Sequence, residues 1–271
     1  MEALTFETID WEFDEETGVG TVTLDRPDSM NALSKQMYED ISDALDAFEE
    51  LDQESLYERD EGVATRAVVF EGAGEKAFCA GADVKDFEEV KPGVFDFTEM
   101  YNDLEAFPAP TIAKIDGYAL GGGFELALTC DFRLASERSE VGLPEIQLGI
   151  MPGDGATQRL PELVGPSRTK ELAMTADHVD AEQAAEEGML DHIYPADKLD
   201  EEVAAFAEQI ASQPPLAVRT IKDVVNMSQE TSLRVGRYYE RRAGSSLTQT
   251  ADHEEGVEAF QEKREPEFEG K

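Results

Sequence analysis

A glycine-rich junction between an apolar strand and an apolar helix constrains the fold of this chain most. Residues 111–116 are largely apolar and β-branched, which predicts a buried strand. Gly121, Gly122 and Gly123 come shortly after it, and the apolar residues 124–130 predict the start of a buried helix. The glycines either permit only a tight turn, or they leave bare N–H groups at a helix N-terminus that can stabilise negative charge.

Two glutamates stand in unusually apolar surroundings. Glu125 lies one turn into the predicted helix, and Glu145 lies in the mostly apolar segment 141–149, twenty residues later. A carboxylate in such a place is costly unless it is paired, lines a cleft or is used in catalysis. Two carboxylates with different environments can divide acid and base work, so these two are candidates for a catalytic pair.

Five motifs occur in a fixed order along the chain: IAKIDGYALGGGFELA (112–127), Cys130-Asp131, PEIQLG (144–149), Pro152-Gly153 and TQRL (157–160). With these motifs the chain resembles the crotonase superfamily of enoyl-CoA hydratases and isomerases, from about Gly18 to Phe268. The resemblance implies an α/β crotonase (ClpP-like) fold of repeated ββα units with a C-terminal helical oligomerisation region. It is specific for the superfamily and much less specific for the reaction.

The resemblance also implies roles for the central residues. Glu125 and Glu145 would be the catalytic pair, in which Glu125 deprotonates the water and Glu145 delivers a proton to the α-carbon, with the roles exchanged in reverse. The backbone N–H groups of Ala82 and Gly122 would form an oxyanion hole for the thioester oxygen. Two amide donors suit an enolate, because removal of one such donor typically raises a barrier by about 2.7–4 kcal/mol.

Seven further residues are predicted by the resemblance to bind the acyl-CoA substrate: Ala80, Asp83, Val84, Lys85, Gly153, Phe260 and Lys263. Ala80 would line the adenine pocket, Gly153 would help to place the water, and Phe260 and Lys263 would reach the nucleotide of a neighbouring subunit. Simpler roles stay open, namely a helix cap for Asp83, a solvated charge for Lys85 and a packing residue for Phe260. Asp154 departs from the small residue usual in the family.

The formal net charge of −38 excludes some partners and favours others. Such a field repels phosphate, so nucleic acid is not expected as a partner. The acidic residues interleave with regular apolar periodicity, which indicates a folded acidic surface, and we expect a high-salt cytosol of the kind found in halophilic archaea. A coenzyme A ligand would require some of the 23 Lys and Arg residues to gather locally.

Other sequence features exclude several classes of site. No run reaches the roughly 18–20 apolar residues of a membrane helix, and no secretory signal is apparent, so we expect a cytoplasmic protein without membrane contact. Cys79 and Cys130 lack metal-like spacing, and the three histidines are scattered, so neither a metal nor a cofactor is expected beyond the acyl-CoA substrate itself.

The chain divides into a predicted crotonase core with the active site at 1–195 and a helical trimerisation region at 196–271. Ser34 is expected to cap a helix with one apolar face, and segment 52–64 is expected to be a solvated insertion. Segment 88–103 resembles the family's variable segment over the acyl chain, and its aromatic residues are expected to face either the acyl tail or the core.

The predicted function is reversible addition of water to a 2-enoyl-CoA, which gives a 3-hydroxyacyl-CoA. Retention of both glutamates favours hydration, since family members that only isomerise double bonds commonly keep one. The alternatives are another crotonase reaction, namely isomerisation, dehydration of a short 3-hydroxyacyl-CoA or thioester hydrolysis, and a non-catalytic acyl-CoA-binding protein. The predicted assembly is a homotrimer or a dimer of trimers.

Overall fold

Short strands and helices alternate along most of the chain in the computed structural model, which describes residues 5–85 and 98–271. The strands are β1 (Ile9–Asp14), β2 (Val19–Leu24), β3 (Ala67–Gly72), β4 (Ala77–Cys79), β5 (Thr111–Ile115), β6 (Tyr118–Leu120), β7 (Phe132–Ser136), β8 (Glu140–Gly142), β9 (His178–Asp180) and β10 (His192–Tyr194). The α-helices are α1 (Lys35–Gln53), α2 (Thr98–Ala106), α3 (Gly122–Thr129), α4 (Ala156–Thr175, interrupted at Gly165), α5 (Ala181–Glu186), α6 (Leu199–Ala211), α7 (Pro215–Glu230), α8 (Leu233–Leu247) and α9 (Ala251–Glu262).

Two sheets organise the described residues. The larger has the strand order β1-β2-β3-β5-β7-β10, in which only the pair β1–β2 is antiparallel, and the smaller has the order β4-β6-β8-β9. Strands β5 and β6 precede α3, and strands β7 and β8 precede α4, so each unit contributes one strand to each sheet before its helix. This is the predicted repeat of ββα units.

The central strands β3, β5 and β7 of the larger sheet are buried on both faces, which explains why they are mostly apolar. Alternate residues point to opposite faces, so Val68 and Phe70 of β3 join the core around α1, whereas Val69 packs on the other face. There Leu199 and Val203 of α6 cover the sheet. Helix α6 therefore packs on the sheet, although it lies in the predicted helical region 196–271.

Helix α1 follows the predicted pattern. The Ser34 side chain accepts a hydrogen bond from the Met37 backbone N–H at 3.2 Å, which confirms the predicted N-cap. The predicted apolar face is also confirmed, because its five residues are buried: Tyr38, Ile41, Leu45, Phe48 and Leu51. Full burial of a side chain of this size contributes about 1.5–3 kcal/mol to stability.

Segment 52–64 is anchored at both ends, which corrects the prediction of a solvated insertion. The buried Asp52 carboxylate accepts hydrogen bonds from the backbone N–H groups of Ala64 at 3.0 Å and Thr65 at 2.8 Å, and it pairs with Arg219 of α7 at 2.5 Å. Val63 is also buried. The carboxylate thus closes the segment and ties it to the C-terminal helices, because its lone pairs satisfy donors that are far apart in sequence.

The predicted variable segment 88–103 falls largely outside the described residues, and with it Phe95 and Phe97. Its described part belongs to α2, where Met100 and Tyr101 are buried in the core.

Candidate active site

The junction between β6 and α3 depends on the backbone of Gly121. Its φ of 53° and ψ of −129° belong to a region that residues with a side chain rarely adopt. A Cβ atom added there would lie 3.0 Å from Oε1 of Glu145. The glycine therefore both permits the turn into α3 and leaves room for the second glutamate.

The amides of Ala82 and Gly122 meet at this turn. Residue 82 forms a parallel bridge with Leu33, in which the Asp83 N–H donates to the Leu33 carbonyl at 2.8 Å, so this bridge does not use the Ala82 N–H. Gly122 is the first residue of α3, where backbone N–H groups have no partner within the helix. A Cβ added at Gly122 would lie 3.5 Å from the Ala82 nitrogen. The two predicted oxyanion donors are therefore neighbours, and neither donates to a backbone carbonyl in the described part of the chain.

Glu125 is held by the loop that precedes α4. Its side chain is only 2% exposed, and Oε1 accepts hydrogen bonds from the backbone N–H groups of Asp154 at 2.9 Å and Ala156 at 3.0 Å. Burial raises the pKa of Glu125, while the backbone N–H groups of Ala156, Asp154 and Gly153 act in the opposite direction. These donors favour the ionised form, which is the form that can accept a proton.

The carboxylate of Glu145, in contrast, receives no hydrogen bond from the described residues. Glu145 lies on the 3₁₀ turn Pro144–Leu148, and both of its carboxylate oxygens are buried without a hydrogen-bond partner among the described residues. Burial, followed by the negative charges of Glu125 and Asp154, raises the pKa of Glu145 to about 7. This carboxyl is therefore partly protonated at neutral pH, which suits a general acid.

Two tyrosines that the sequence assigned to no catalytic role border this site. The Tyr101 hydroxyl donates to the Gly122 carbonyl at 3.0 Å, and its ring lies 6.1 Å from the ring of Tyr38. Burial raises the pKa of both hydroxyls, so both stay neutral. Periodicity predicts core packing for Tyr38, and Tyr101 was expected to face either the acyl tail or the core. No local pattern reveals that Tyr101 supports the first turn of α3.

The residues predicted around the oxyanion hole lie beside it but differ in exposure. Ala80 is half-buried, whereas Val84 and Lys85 are exposed. Asp83 is buried and forms an ion pair with Arg26 at 2.9 Å. Burial opposes its ionisation, but the hydrogen bond from Arg26 and other contacts outweigh burial and lower the pKa of Asp83. The helix that Asp83 was predicted to cap lies outside the described residues.

Gly153 and the two C-terminal candidates occupy different places. Gly153 is exposed in the loop that holds Glu125, as a water-placing role requires. Phe260 is 86% exposed on α9, and Lys263 follows the end of that helix with a φ of 58°. Phe260 lines a cavity with Leu216 of α7 and with Phe268, and neither glutamate borders it. Within a single chain, Phe260 and the two glutamates therefore do not line the same cavity.

Four arginines gather on α8. Arg234, Arg237, Arg241 and Arg242 are all exposed, and none forms an ion pair with the described part of the chain. Leu233 and Tyr238 are exposed beside them. The spacing of these arginines was visible in the sequence, but only the tertiary structure shows that they share an uncovered surface.

Within residues 5–85 and 98–271, no group of His, Cys, Asp and Glu side chains is arranged to hold a metal ion. The same residues include no helix that is long and apolar enough to span a membrane.

Comparison with known proteins places these features in a family context. The family model for enoyl-CoA hydratase/isomerase matches residues 14–271. A Dictyostelium discoideum protein named "Probable enoyl-CoA hydratase, mitochondrial" is 41% identical over 256 residues, which cover 93% of this chain and 88% of that protein. "Enoyl-CoA isomerase/hydratase fer4" of Mycosarcoma maydis is 38% identical over 95% of this chain and 94% of its own length.

Solved structures with a similar fold are also named as enoyl-CoA hydratases. A crystal structure of enoyl-CoA hydratase from Bacillus anthracis superimposes with a TM-score of 0.88 at 37% identity and covers 98% of this chain and 100% of that one. The predicted fold class is thereby confirmed.

Proposed function

Since this chain belongs to the enoyl-CoA hydratase/isomerase family, we propose that it is a hydro-lyase that adds water reversibly to a 2-enoyl-CoA and gives a 3-hydroxyacyl-CoA. One observation carries the proposal: two buried carboxylates of unequal proton affinity adjoin two neighbouring backbone N–H groups. An acid, a base and an oxyanion hole are the parts that this reaction needs.

The proposed reaction assigns one step to each group. The thioester oxygen of the substrate accepts hydrogen bonds from the N–H groups of Ala82 and Gly122. Glu125 removes a proton from water while the water oxygen bonds to C3, and the electrons of the double bond move onto the thioester as an enolate. Glu145 then gives its proton to C2. The product has gained one water, Glu125 has gained a proton and Glu145 has lost one, and the reverse reaction exchanges these roles.

The electrostatics of the site support this division of labour. Backbone N–H groups hold the Glu125 carboxylate in the form that accepts a proton, whereas burial keeps the proton on Glu145. The two amides act where charge develops, and each such donor is worth about 2.7–4 kcal/mol. The Gly122 amide is also positioned by the Tyr101 hydroxyl, which bonds to the carbonyl of the same residue.

We propose that the remaining predicted residues contact coenzyme A. Ala80 and Val84 follow β4 beside the oxyanion amides and would meet the adenine end, and Lys85 would meet a phosphate. Asp83 would hold this segment through its ion pair with Arg26. Gly153 would help to place the water, because it adjoins the loop amides that bind Glu125. Phe260 and Lys263 would reach the nucleotide of a neighbouring subunit, in keeping with their exposure on α9.

We also propose that the chain forms a homotrimer or a dimer of trimers through α7–α9. These helices expose apolar side chains of considerable size, including Ile221, Leu233 and Tyr238. An uncovered apolar surface of this kind is typical of a protein interface. The net charge of −38 supports a further proposal, that the protein works in a cytoplasm of high salt concentration, where screening reduces repulsion between copies.

An assay with crotonyl-CoA tests the function. We expect the ultraviolet absorbance of the enoyl thioester to fall in the presence of the protein and 3-hydroxybutyryl-CoA to appear. The assay is run across a series of KCl concentrations, since the acidic surface requires screening. Unchanged absorbance at every salt concentration, also with longer enoyl chains, would contradict the proposal. Conversion of a 3-enoyl-CoA to the 2-enoyl isomer without water addition would indicate an isomerase.

A further inference from the structure

Asp154 occupies the loop between the two glutamates and the start of α4. Its backbone N–H donates to Oε1 of Glu125 at 2.9 Å, and its carbonyl accepts a hydrogen bond from Arg159 at 3.0 Å. The guanidinium of Arg159 is itself paired with Glu105 of α2 at 2.5 Å. The main chain of Asp154 is therefore fixed, whatever its side chain does.

The Asp154 side chain takes no part in this scaffold. It is half-buried, and its carboxylate makes no hydrogen bond or ion pair with any residue of the described ranges. The charged and titratable groups around Asp154 and Glu145 come from each element of the site, namely Tyr38 of α1, Tyr101 and Glu105 of α2, Glu125 of α3, Glu145 of the 3₁₀ turn and Arg159 of α4. Asp154 is thus a half-buried third carboxyl residue next to the catalytic pair, since its backbone amide is bonded to the carboxylate of Glu125.

The three carboxylates influence one another. Burial and then the charge of Glu125 raise the pKa of Asp154 to about 6, so Asp154 is mostly ionised at neutral pH. Its negative charge is in turn one of the causes that raise the pKa of Glu145. A second negative charge near a carboxyl group favours the protonated form of that group.

The proposed reaction requires one proton on the pair formed by Glu125 and Glu145. In hydration this proton starts on Glu145, and in dehydration it starts on Glu125, so both directions use the same total protonation of the pair. Activity should therefore follow a bell-shaped pH profile whose two limbs belong to the pair as a whole. Any nearby charge that changes proton binding to the pair moves this profile.

We propose that Asp154 is a positioning residue whose negative charge keeps a single proton on the glutamate pair and so extends activity to higher pH. The proposal rests on the proposed hydratase function. The proposal gives a role to an aspartate at a position where the resemblance predicts a small residue. The hydrogen bonds that fix the loop use only the backbone of Asp154 and not its side chain.

The variant Asp154→Asn tests it, because the asparagine keeps the backbone N–H and carbonyl and removes only the charge. We expect both limbs of the kcat/KM profile to move to lower pH by about half a unit or more, since charges within one half-buried site interact strongly. On the alkaline limb this is a loss of about threefold or more, because each pH unit is a factor of ten there. The variant Asp154→Glu keeps the negative charge and should therefore show the wild-type pH profile.

Asp197→Asn is the matched control. It removes one negative charge from an exposed aspartate between β10 and α6. Its profile should coincide with that of the wild type in concentrated KCl, where exposed charges are screened over a few ångströms. The profile of Asp154→Asn should stay shifted under the same conditions, because half-buried charges are screened less.

The result that would overturn the proposal is an Asp154→Asn profile that coincides with the wild-type profile, or one that moves no further than that of Asp197→Asn. A uniform loss of kcat at every pH would likewise show a merely structural role. The proton affinity of Glu145 can also be followed without turnover, by ¹³C NMR titration of labelled glutamate carboxyls with Glu145→Gln for assignment. If the wild type hydrates no enoyl-CoA, the proposed function fails, but the NMR titration still tests the effect of Asp154. An Asp154→Asn protein in which Glu145 titrates as in the wild type would contradict that effect.

Discussion

The amino end of α3 and the 3₁₀ turn Pro144–Leu148 each bury one glutamate, but they surround its carboxylate differently. Glu125 accepts two backbone hydrogen bonds from the loop before α4, whereas both oxygens of Glu145 have no partner among the described residues. The residue type is the same, and burial raises the pKa of both. Hydrogen bonds and neighbouring charges separate them, because backbone donors lower the pKa of Glu125, whereas the charges of Glu125 and Asp154 raise that of Glu145.

The difference between the two carboxylate environments explains how two identical side chains can supply both a base and an acid. The unsatisfied carboxylate of Glu145 costs stability, and such a cost is typical of a functional group. The three predictions that follow test whether the two settings differ as described.

Replacement of either glutamate should have the largest effect. We expect Glu145→Gln and Glu125→Gln each to lower kcat for hydration by about 10²–10⁴-fold, the usual contribution of a general acid or base. The double variant should lose little more than either single variant, because the two groups act as a unit. Steady-state kinetics with crotonyl-CoA would measure this. Exposed Glu162→Gln on α4 is the control, and a normal kcat in either site variant would remove that glutamate from the mechanism.

A substitution at Gly121 should have an intermediate effect. The Cβ of Gly121→Ala would lie 3.0 Å from Oε1 of Glu145, on a backbone whose strain costs about 1–3 kcal/mol with a side chain. We expect kcat to fall about 10–100-fold if this strain displaces Glu145 or the Gly122 amide. Gly244→Ala on α8 has open space at its Cβ and should leave kcat unchanged. Equal kcat values for the two variants would show that the turn tolerates a side chain.

Glu145→Gln should also change the pH dependence of stability, and this effect is the smallest. The pKa of Glu145 is about 7 in the folded protein against 4.5 as its ordinary value, so the folded chain keeps a proton that the unfolded chain has released. Stability therefore falls as the pH rises from about 4.5 to about 7. Glutamine lacks this penalty, and we expect Glu145→Gln to be more stable by about 1–2 kcal/mol at pH 8, after allowance for partial exposure.

Urea denaturation of both proteins above and below this pH range measures the difference. The gain should vanish near pH 4, where the carboxyl is protonated in both folded and unfolded chains. A gain of equal size at both pH values would come from packing and not from the charge of Glu145.

Several parts of this structure follow from local sequence. The Ser34 cap and the apolar face of α1 depend on capping and on side-chain periodicity, which act within a few residues. Segment 52–64 shows the limit of this approach. Its charged composition predicts solvation, but the Asp52 carboxylate finds donors at Ala64 and Thr65 and a partner at Arg219, which no local pattern contains.

The same limit applies at the active site. The motifs around Glu125 and Glu145 identify both carboxylates from sequence, but they do not reveal that Tyr101 supports Gly122 or that the amide of Asp154 binds Glu125. The two glutamates stand in similarly apolar segments, so their separate roles were predicted from the resemblance to the family and not from any local pattern.

The sequence by itself determined the glycine turn before α3 and the identity of the two acidic side chains, because backbone conformation and apolar periodicity are local properties. The ββα repeat was predicted from the resemblance to the family and not from local periodicity. Only the tertiary structure decided which carboxylate receives backbone donors, which one is buried without a partner, and that Asp154 joins them. Proton affinity depends on the distances and burial of groups that lie tens of residues apart in the chain. Those distances exist only once the two sheets and their helices have packed together.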